Sequence, residues 1–337
     1  MRFDVVNTLT RSSWHTFVDN NPDARIFHSP EMAEVFANTR NFTPTLWAAL
    51  DQGATVHALM LPVDITILPW PLRAITTRTV VYDGVLCSPG VTGQLALAAL
   101  LRHYNAERQP RTLFTELRNS CDTSMFQSTL EQNGFLYEEH MNFFVDLTQP
   151  TSVLWKNIRS NAQRNIRKAQ RQNVVIEEGH NLQSVSDAYA ILSTVYRWLR
   201  VPLPDVSLFQ SAFRVLHPAN LMHILTAKVN GVTVGALTLL LYKGTILYWY
   251  TGSLREYSEY RVSDLLVWHA LQLGQLHHCH TFDFGGGGRP AEDYTVRDFK
   301  AKFGGREVAF GRNVCVHSPL TLRAGKIGYS CVRALLS

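Results

Sequence analysis

Cysteine is scarce and unpaired in this 337-residue chain: the five present (Cys87, Cys121, Cys279, Cys315 and Cys331) are odd in number, scattered, and nowhere spaced C-x-x-C. That excludes a disulfide framework and a zinc knuckle, and free thiols are expected. No apolar run approaches the roughly 20 residues that a membrane-spanning helix needs. Polar Asp4 and Asn7 stand where a secretory segment would hold its apolar stretch. The expectation is a cytoplasmic protein without stable membrane insertion. Nucleotide and hydrolase signatures are missing too: no glycine loop ends in Gly-Lys-Ser or Gly-Lys-Thr, no G-x-G-x-x-G opens a helix, and no G-x-S-x-G occurs. Lysine is absent from residues 1–150, which carry ten arginines against fifteen acids, a net charge of −5. Residues 151–337 carry 22 basic and 12 acidic residues, a net charge of +10. A basic second half attracts a polyanion, a phosphorylated metabolite or a membrane surface, and the sign alone does not choose among them.

The chain does hold a core-forming composition, 46% hydrophobic and 18% charged, with length for two domains. It also repeats itself. ALDQGATVHALML, from Ala49 to Leu61, aligns without gaps on AKVNGVTVGALTL, from Ala227 to Leu239. Each copy reads as a β-hairpin, with Gly53 and Gly231 where a tight turn needs positive φ. After the first copy come a β-rich stretch (Thr77 to Leu86), a helical pattern (Gln94 to Tyr104) and a strand (Thr112 to Leu117). After the second come Thr245 to Thr251, a helical pattern (Tyr260 to Leu276) and a strand (Thr281 to Phe284). The last strand of each copy carries one acid, Glu116 or Asp283. This order resembles that expected of an N-acyltransferase of the GNAT type, occurring twice. The expected fold is therefore α/β, with two tandem GNAT-like domains of mixed sheets flanked by helices. The boundary is expected near Pro150, after a strand at Asn142 to Leu147, with Ser152 as the N-cap of the next helix.

That next segment places Leu154, Ile158, Ala162, Ile166 and Ala169 on one helical face, opposite Lys156, Arg164, Arg167, Lys168 and Arg171. No acid lies between Thr151 and Val175 to supply the i,i+4 partners of an ordinary solvated face. An anion site is slightly favoured over that bland reading.

TFDFGGGGRPAEDYTVRDFKAKFGG, from Thr281 to Gly305, is the most unusual stretch. Consecutive glycines after a strand, Gly285 and Gly286 first, remove side chains where a substrate would approach the backbone. A flexible surface turn is the alternative. Asp283 ends an apolar strand, where a carboxylate needs a partner or a functional reason. Lys300 lies between Phe299 and Phe303, so its ammonium is expected to emerge from an apolar wall and stabilise an oxyanion during acyl transfer. A salt bridge to Asp298 or Glu307 competes with that reading. Tyr250, in an aromatic patch with Tyr248, Trp249 and Tyr257, is a candidate substrate contact. His277, His278, Cys279 and His280 resemble a metal cluster, yet adjacent residues point apart and no second ligand pair follows, so no metal site is expected.

LWKNIRSNAQRNIRKAQRQNV, from Leu154 to Val174, resembles the segment that opens the second domain of the FemAB family of peptidoglycan-bridge aminoacyltransferases. FDFGGGG followed by DFKAKFGG is similar to that family's C-terminal motifs, and IFHSPEMAEVF, from Ile26 to Phe36, to its first-domain helix. The resemblance spans most of the chain. It implies tandem GNAT-like domains over residues 1–149 and 150–312, with residues 313–337 returning to the first domain. It also implies transfer of an aminoacyl group from a charged tRNA to an amine of a cell-wall precursor peptide. The family's Phe-Lys pair falls on Phe299 and Lys300, the lysine stabilising the tetrahedral intermediate. Its first-domain acid corresponds to Glu116, and its phosphate-binding arginine lies near Arg197. The family's substrate-binding lysine falls at Phe36, which leaves the acceptor open between a phosphorylated cell-envelope precursor and another peptide amine.

Three readings follow: an aminoacyl-tRNA-dependent transferase, a GNAT acyl-CoA transferase in cell-envelope or exopolysaccharide synthesis, and a catalytically silent tandem GNAT binding module. Acyl-CoA enzymes grip pyrophosphate with a glycine-containing turn at a helix start. The equivalent region, Tyr257 to Leu266, has no glycine. A monomer without a tightly bound cofactor is expected, with Arg164, Arg167 and Lys168 contacting phosphates of the donor or acceptor.

Overall fold

The computed structural model describes residues 1–66, 76–108, 112–291 and 295–319. Contacts divide it into two compact units, Met1–Glu139 with the segment that begins at Phe310, and His140–Ala309. The first unit contains β1 (Asp4–Val6), α1 (Arg11–Asn20), α2 (Pro30–Ala37), β2 (Phe42–Pro44), β3 (Trp47–Leu50), β4 (Val56–Met60), β5 (Pro62–Thr66) and β6 (Thr77–Asp83). It continues with β7 (Leu86–Cys87), α3 (Gly90–Arg108), β8 (Phe114–Asn119), α4 (Gln127–Gln132) and β9 (Leu136–Glu138). The second contains β10 (Asn142–Asp146), α5 (Thr151–Asn157), α6 (Ser160–Arg171), β11 (Val175–Glu178), α7 (Leu182–Leu199), α8 (Val206–Leu216), β12 (Met222–Val229) and β13 (Val232–Tyr242). It ends with β14 (Thr245–Ser253), α9 (Val262–Leu276), β15 (Thr281–Gly286), α10 (Thr295–Lys300) and β16 (Arg306–Val308). The chain then enters β17 (Arg312–Val316), which pairs with β8 and β9 in the first unit.

Both units follow one plan. A hairpin leads to a strand, a helix, and a second strand parallel to the one before the helix: β6 beside β8 in the first unit, β14 beside β15 in the second. A long helix between the two strands is what a parallel crossover requires. In α3, Ala96, Leu97, Leu100, Leu101 and Tyr104 are buried against the sheet, spaced one turn apart. Two antiparallel strands complete each sheet, β17 and β9 beyond β8, and β10 and β16 beyond β15. The second unit's seven strands form one sheet in the order β11-β12-β13-β14-β15-β10-β16. The first unit splits into β1-β3-β4-β7 and β2-β5-β6-β8-β17-β9.

Four expectations need correction. The strand at Asn142 pairs with β15 and β16, so the contact division falls between Glu139 and His140 rather than at Pro150. Ser152 is no cap: Pro150 precedes the first turn and no side chain caps it. The basic segment is two helices, because Ile158 and Arg159 take extended backbone angles (ψ 131 and 144). The apolar positions are nevertheless all buried. Finally, Gly231 has φ +80 but Gly53 does not take positive φ; Ala54 does, at +61. Asp51 causes the difference, its Oδ1 accepting from the amides of Gly53 and Thr55, both at 2.9 Å.

Replacing a left-handed glycine by alanine costs about 1–2 kcal/mol. Gly231→Ala is therefore expected to lower the urea-denaturation stability by about that amount, while Gly53→Ala leaves it within about 0.5 kcal/mol. Equal losses at the two sites would contradict the turn geometry.

Candidate active site

β14 and β15 are parallel neighbours over three pairs, ending at Leu247 and Asp283. Beyond Leu247, β14 runs on to Ser253 along β13. β15 leads into the glycine run, where Gly285 and Gly288 have φ of +68 and +80. These angles favour residues without a Cβ. Lys300, 6% exposed at the end of α10, reaches into this turn. Its Nζ donates to the carbonyls of Phe284 (2.6 Å) and Gly286 (2.8 Å), with the Gly285 carbonyl at 3.4 Å. Arg297, three residues earlier, donates to the carbonyls of Gly287 (3.0 Å), Pro290 (2.9 Å) and Arg289. One short helix thus holds most of this turn by its carbonyl oxygens, and the Met141 amide holds the Gly288 carbonyl at 2.9 Å.

Burial lowers Lys300 to about 8, partly opposed by the carboxylate of Asp283. Tyr248 lies below the ammonium, its ring centroid 5.8 Å away, and burial pushes its hydroxyl well above the usual range. Asp283 accepts from Asn142 Nδ2 (2.8 Å) and the Gly285 amide (2.7 Å), so the strand acid fixes the first residue of the glycine turn. Phe299, half-buried, meets Phe303 edge-on at 5.4 Å, and Phe303 packs on Phe284 at 5.8 Å.

Lys300, Phe299, Asp283, Gly285 and Gly286 are therefore brought together as the spacing suggested. One detail differs. The ammonium turns inward to carbonyls, and neither Asp298 nor Glu307 is its partner, because three backbone acceptors lie within reach of the stem. Asn142 was missed, lying 141 positions from Asp283, where no local signal exists. Arg297 was legible in principle, since i,i+3 spacing puts it on the face of Lys300.

Glu116 sits in the first unit, paired with Arg118 at 3.1 Å and with Arg312. Burial acts to raise its carboxyl, but the two guanidinium groups outweigh burial and hold it below its ordinary value. Arg118 also stacks 5.3 Å from the centroid of Tyr82.

On α6, Arg164, Arg167, Gln170 and Arg171 line an open groove of about 590 Å³. Arg167 lies 5.3 Å from the ring centroid of Trp155. Among the described residues, none of these arginines, nor half-buried Lys168, forms an ion pair. The groove is joined to the Lys300 region by the Arg159 amide, which donates to Lys302 O at 2.8 Å. Gly304 adds a second join: a Cβ there would stand 2.8 Å from the Asn157 backbone oxygen. Arg197 is exposed in the last turn of α7, and its neighbour Tyr196 meets Tyr250 at 6.1 Å. Half-buried Tyr250 also packs on Phe209 at 5.0 Å. No three His, Cys, Asp or Glu groups among the described residues are placed to hold a metal ion. Among those residues no helix is long and apolar enough to cross a membrane.

A mixed sheet in each unit, with a helix crossing between two parallel strands and antiparallel strands beside them, is the tandem GNAT fold. Residues 156–299, most of the second unit, match the family model described as an acetyltransferase (GNAT) domain. In structure the chain is similar to FemX at 12% identity, with a TM-score of 0.73 over 96% of this chain and 100% of that one. It is similar to L-PGS from Bacillus licheniformis at 13% identity, with a TM-score of 0.58 over 94% of each chain. A tandem GNAT protein from the clavulanic acid biosynthesis pathway aligns at 11% identity, with a TM-score of 0.59 over 94% of this chain and 99% of that one. No protein with a curated description matches the sequence.

Because Lys300 titrates near 8 in the fold and at an ordinary 10.5 when exposed, the unfolded chain binds more protons between those values. Stability therefore gains a contribution that rises with pH across that window. Urea midpoints measured at pH 7.5 and pH 10 should show this rise in the wild type and lose it in Lys300→Met. An identical pH trend in both proteins would contradict the buried ammonium.

Proposed function

We propose that the chain transfers an aminoacyl group from a charged tRNA to an amine of a cell-wall precursor peptide or a similar acceptor. The observation that carries this reading is the acid-free cationic groove of Arg164, Arg167 and Arg171, joined through Arg159 to the Lys300 loop. Several unpaired guanidinium groups on one helix suit a phosphate backbone, and Arg167 over Trp155 leaves an aromatic edge beside them. FemX is the structural relative with the highest score of the three compared.

The turn before α9 favours this donor over acyl-CoA. Arg255–Tyr260 is a 3-10 turn with Glu256 in its first turn and no glycine, and Asp264 occupies the first turn of α9. Burial raises the Asp264 carboxyl, as expected of a group held away from water. A pyrophosphate seated there would meet bulky side chains and acids in place of open amides.

In the transfer, the acceptor amine attacks the ester carbonyl, negative charge gathers on its oxygen, and as the ester bond breaks the leaving oxygen takes up the proton that the amine gives up and departs as a hydroxyl. Lys300 supplies the stabilising charge. Its contact with the Gly285 carbonyl at 3.4 Å is at the weak limit of a hydrogen bond, so that N–H is the one that turns to the oxyanion. Asp283 holds the Gly285 amide, and Phe299 with Phe303 keeps water from the ammonium. Arg197 with Tyr250 lines the substrate path in the second unit.

Incubation with tRNA charged with a labelled amino acid and a panel of peptide amines should release label from tRNA, while acetyl-CoA is left unconsumed. Lys300→Met should lower kcat by about 10²–10³-fold with donor affinity little changed. Wild-type turnover in that variant would make Lys300 purely structural. Charge reversal of Arg164 and Arg167 together should weaken tRNA binding and flatten the plot of log affinity against log salt by about 1.5–2. A salt slope that stays the same would remove the groove from the donor site.

A further inference from the structure

We propose that Asp51, His57 and Ser88 form a nucleophilic acyl-transfer site in the first unit that takes an activated carboxylic ester. It shares no residue with the site around Lys300, and its reading does not depend on the identity of that site's donor.

The three side chains form a chain of hydrogen bonds. Asp51 Oδ2 lies 3.0 Å from His57 Nε2, and His57 Nδ1 lies 3.2 Å from Ser88 Oγ. Asp51 is oriented by the turn between β3 and β4, where its other oxygen accepts from the Gly53 and Thr55 amides. His57 is on β4, and its ring is set edge-on against Phe3 at 5.8 Å. Ser88 follows β7 directly, and its amide donates to the His57 carbonyl at 2.8 Å. His57 and Asp51 keep 16% and 24% side-chain exposure, and Ser88 is half-buried, so the group opens to solvent.

Proton positions follow from the chemistry of the partners. The hydrogen bond from His57 is the first cause holding the Asp51 carboxyl below its ordinary value, so the group is an ionised, acceptor-only carboxylate. His57 Nε2 must then carry the hydrogen. In the neutral imidazole Nδ1 then keeps a lone pair, and Ser88 donates to it. This is the protonation state in which a histidine serves as general base to a hydroxyl, with the carboxylate stabilising the imidazolium that forms. The two ring nitrogens exchange the roles they hold in the serine-protease arrangement, and both are competent bases.

The surroundings of Ser88 also point to this role. Ser88 stands two residues before α3 begins at Gly90, outside the cap position, and its hydroxyl goes to His57. Gly93 presses on the Ser88 backbone, where a Cβ would lie 1.8 Å from the Ser88 carbonyl oxygen, so the first turn of α3 is packed against the nucleophile. The first-turn N–H groups of a helix lack intrahelical acceptors and favour negative charge, which suits an oxyanion formed next to Ser88.

In the reaction, His57 Nδ1 takes the Ser88 proton as Oγ bonds to the ester carbonyl carbon. The tetrahedral adduct collapses, the bond to the leaving oxygen breaks, and His57 returns the proton to that oxygen, releasing an alcohol and leaving an acyl-serine. Water or an amine then attacks the acyl-serine by the reverse sequence and restores the hydroxyl.

An alkyl fluorophosphonate tests this directly, since Ser88 Oγ would bond to phosphorus with loss of fluoride and without any tRNA or amine. Intact-mass measurement and peptide mapping should show one phosphonyl group per chain, on Ser88, and none in Ser88→Ala. His57→Gln should slow labelling by about 10²–10⁴-fold. Asp51→Asn keeps an acceptor for the turn amides but offers His57 Nε2 a donor, which forces the wrong tautomer and should slow labelling to a similar degree. Far-UV circular dichroism confirms folding of each variant. A folded wild type that stays unlabelled, label that persists in Ser88→Ala, or a labelling rate indifferent to His57→Gln would each overturn the proposal.

Discussion

The second unit depends on a buried ammonium that finds its acceptors in the backbone. Beyond Asp283, β15 loses its pairing with β14, and a buried carbonyl left there without a donor, such as that of Phe284 or Gly286, costs about 1–3 kcal/mol. Lys300 supplies the donors. The need to bring Lys300 there dictates α10, the Phe299–Phe303–Phe284 packing that shields it, and the sharp left-handed Gly304 (φ +77) pressed against Asn157. Through Asn157 and Arg159 the same constraint fixes where α6 begins, and so where its arginines project. The cationic groove and the Lys300 turn are in this way parts of one mechanical unit.

The two units use one topology with different electrostatics. Each has an acid on the strand parallel to its pre-helix strand, in contact across the sheet with Val80 for Glu116 and with Leu247 for Asp283. Glu116 is bracketed by two arginines, one of them from β17, far along the chain. Asp283 is held by neutral donors, Asn142 and the Gly285 amide. A carboxylate neutralised by arginines is a fixed anchor, whereas one held by amides keeps its charge to act on Lys300.

What was legible in the sequence was local or repeated. The gapless match around Gly231, the paired strand acids and the spacing of Phe299, Lys300 and Phe303 depend on neighbours within a few residues, and the structure keeps those relations. The helix break at Ile158 was hidden because the apolar positions keep their period across it: the two extended residues turn the chain while leaving Leu154, Ile158 and Ala162 buried. The unit division was hidden because β10 is assigned by partners on β15 and β16, which lie well over a hundred residues later. Gly53 misled because Asp51 binds the turn amides and passes the positive φ to Ala54. Asn142, Arg312, and the Asp51–His57–Ser88 group have no motif at all; sheet register alone brings them to their partners.

The central claim is that the donor's phosphates sit on α6 and not at the start of α9. Hydrogen exchange of the backbone amides, followed by mass spectrometry with charged tRNA and separately with CoA, separates the two surfaces in a single experiment. The account predicts slowed exchange over residues 160–171 with tRNA, and no change over residues 255–264 with CoA. Protection of 255–264 by CoA, with 160–171 unaffected by tRNA, would contradict it.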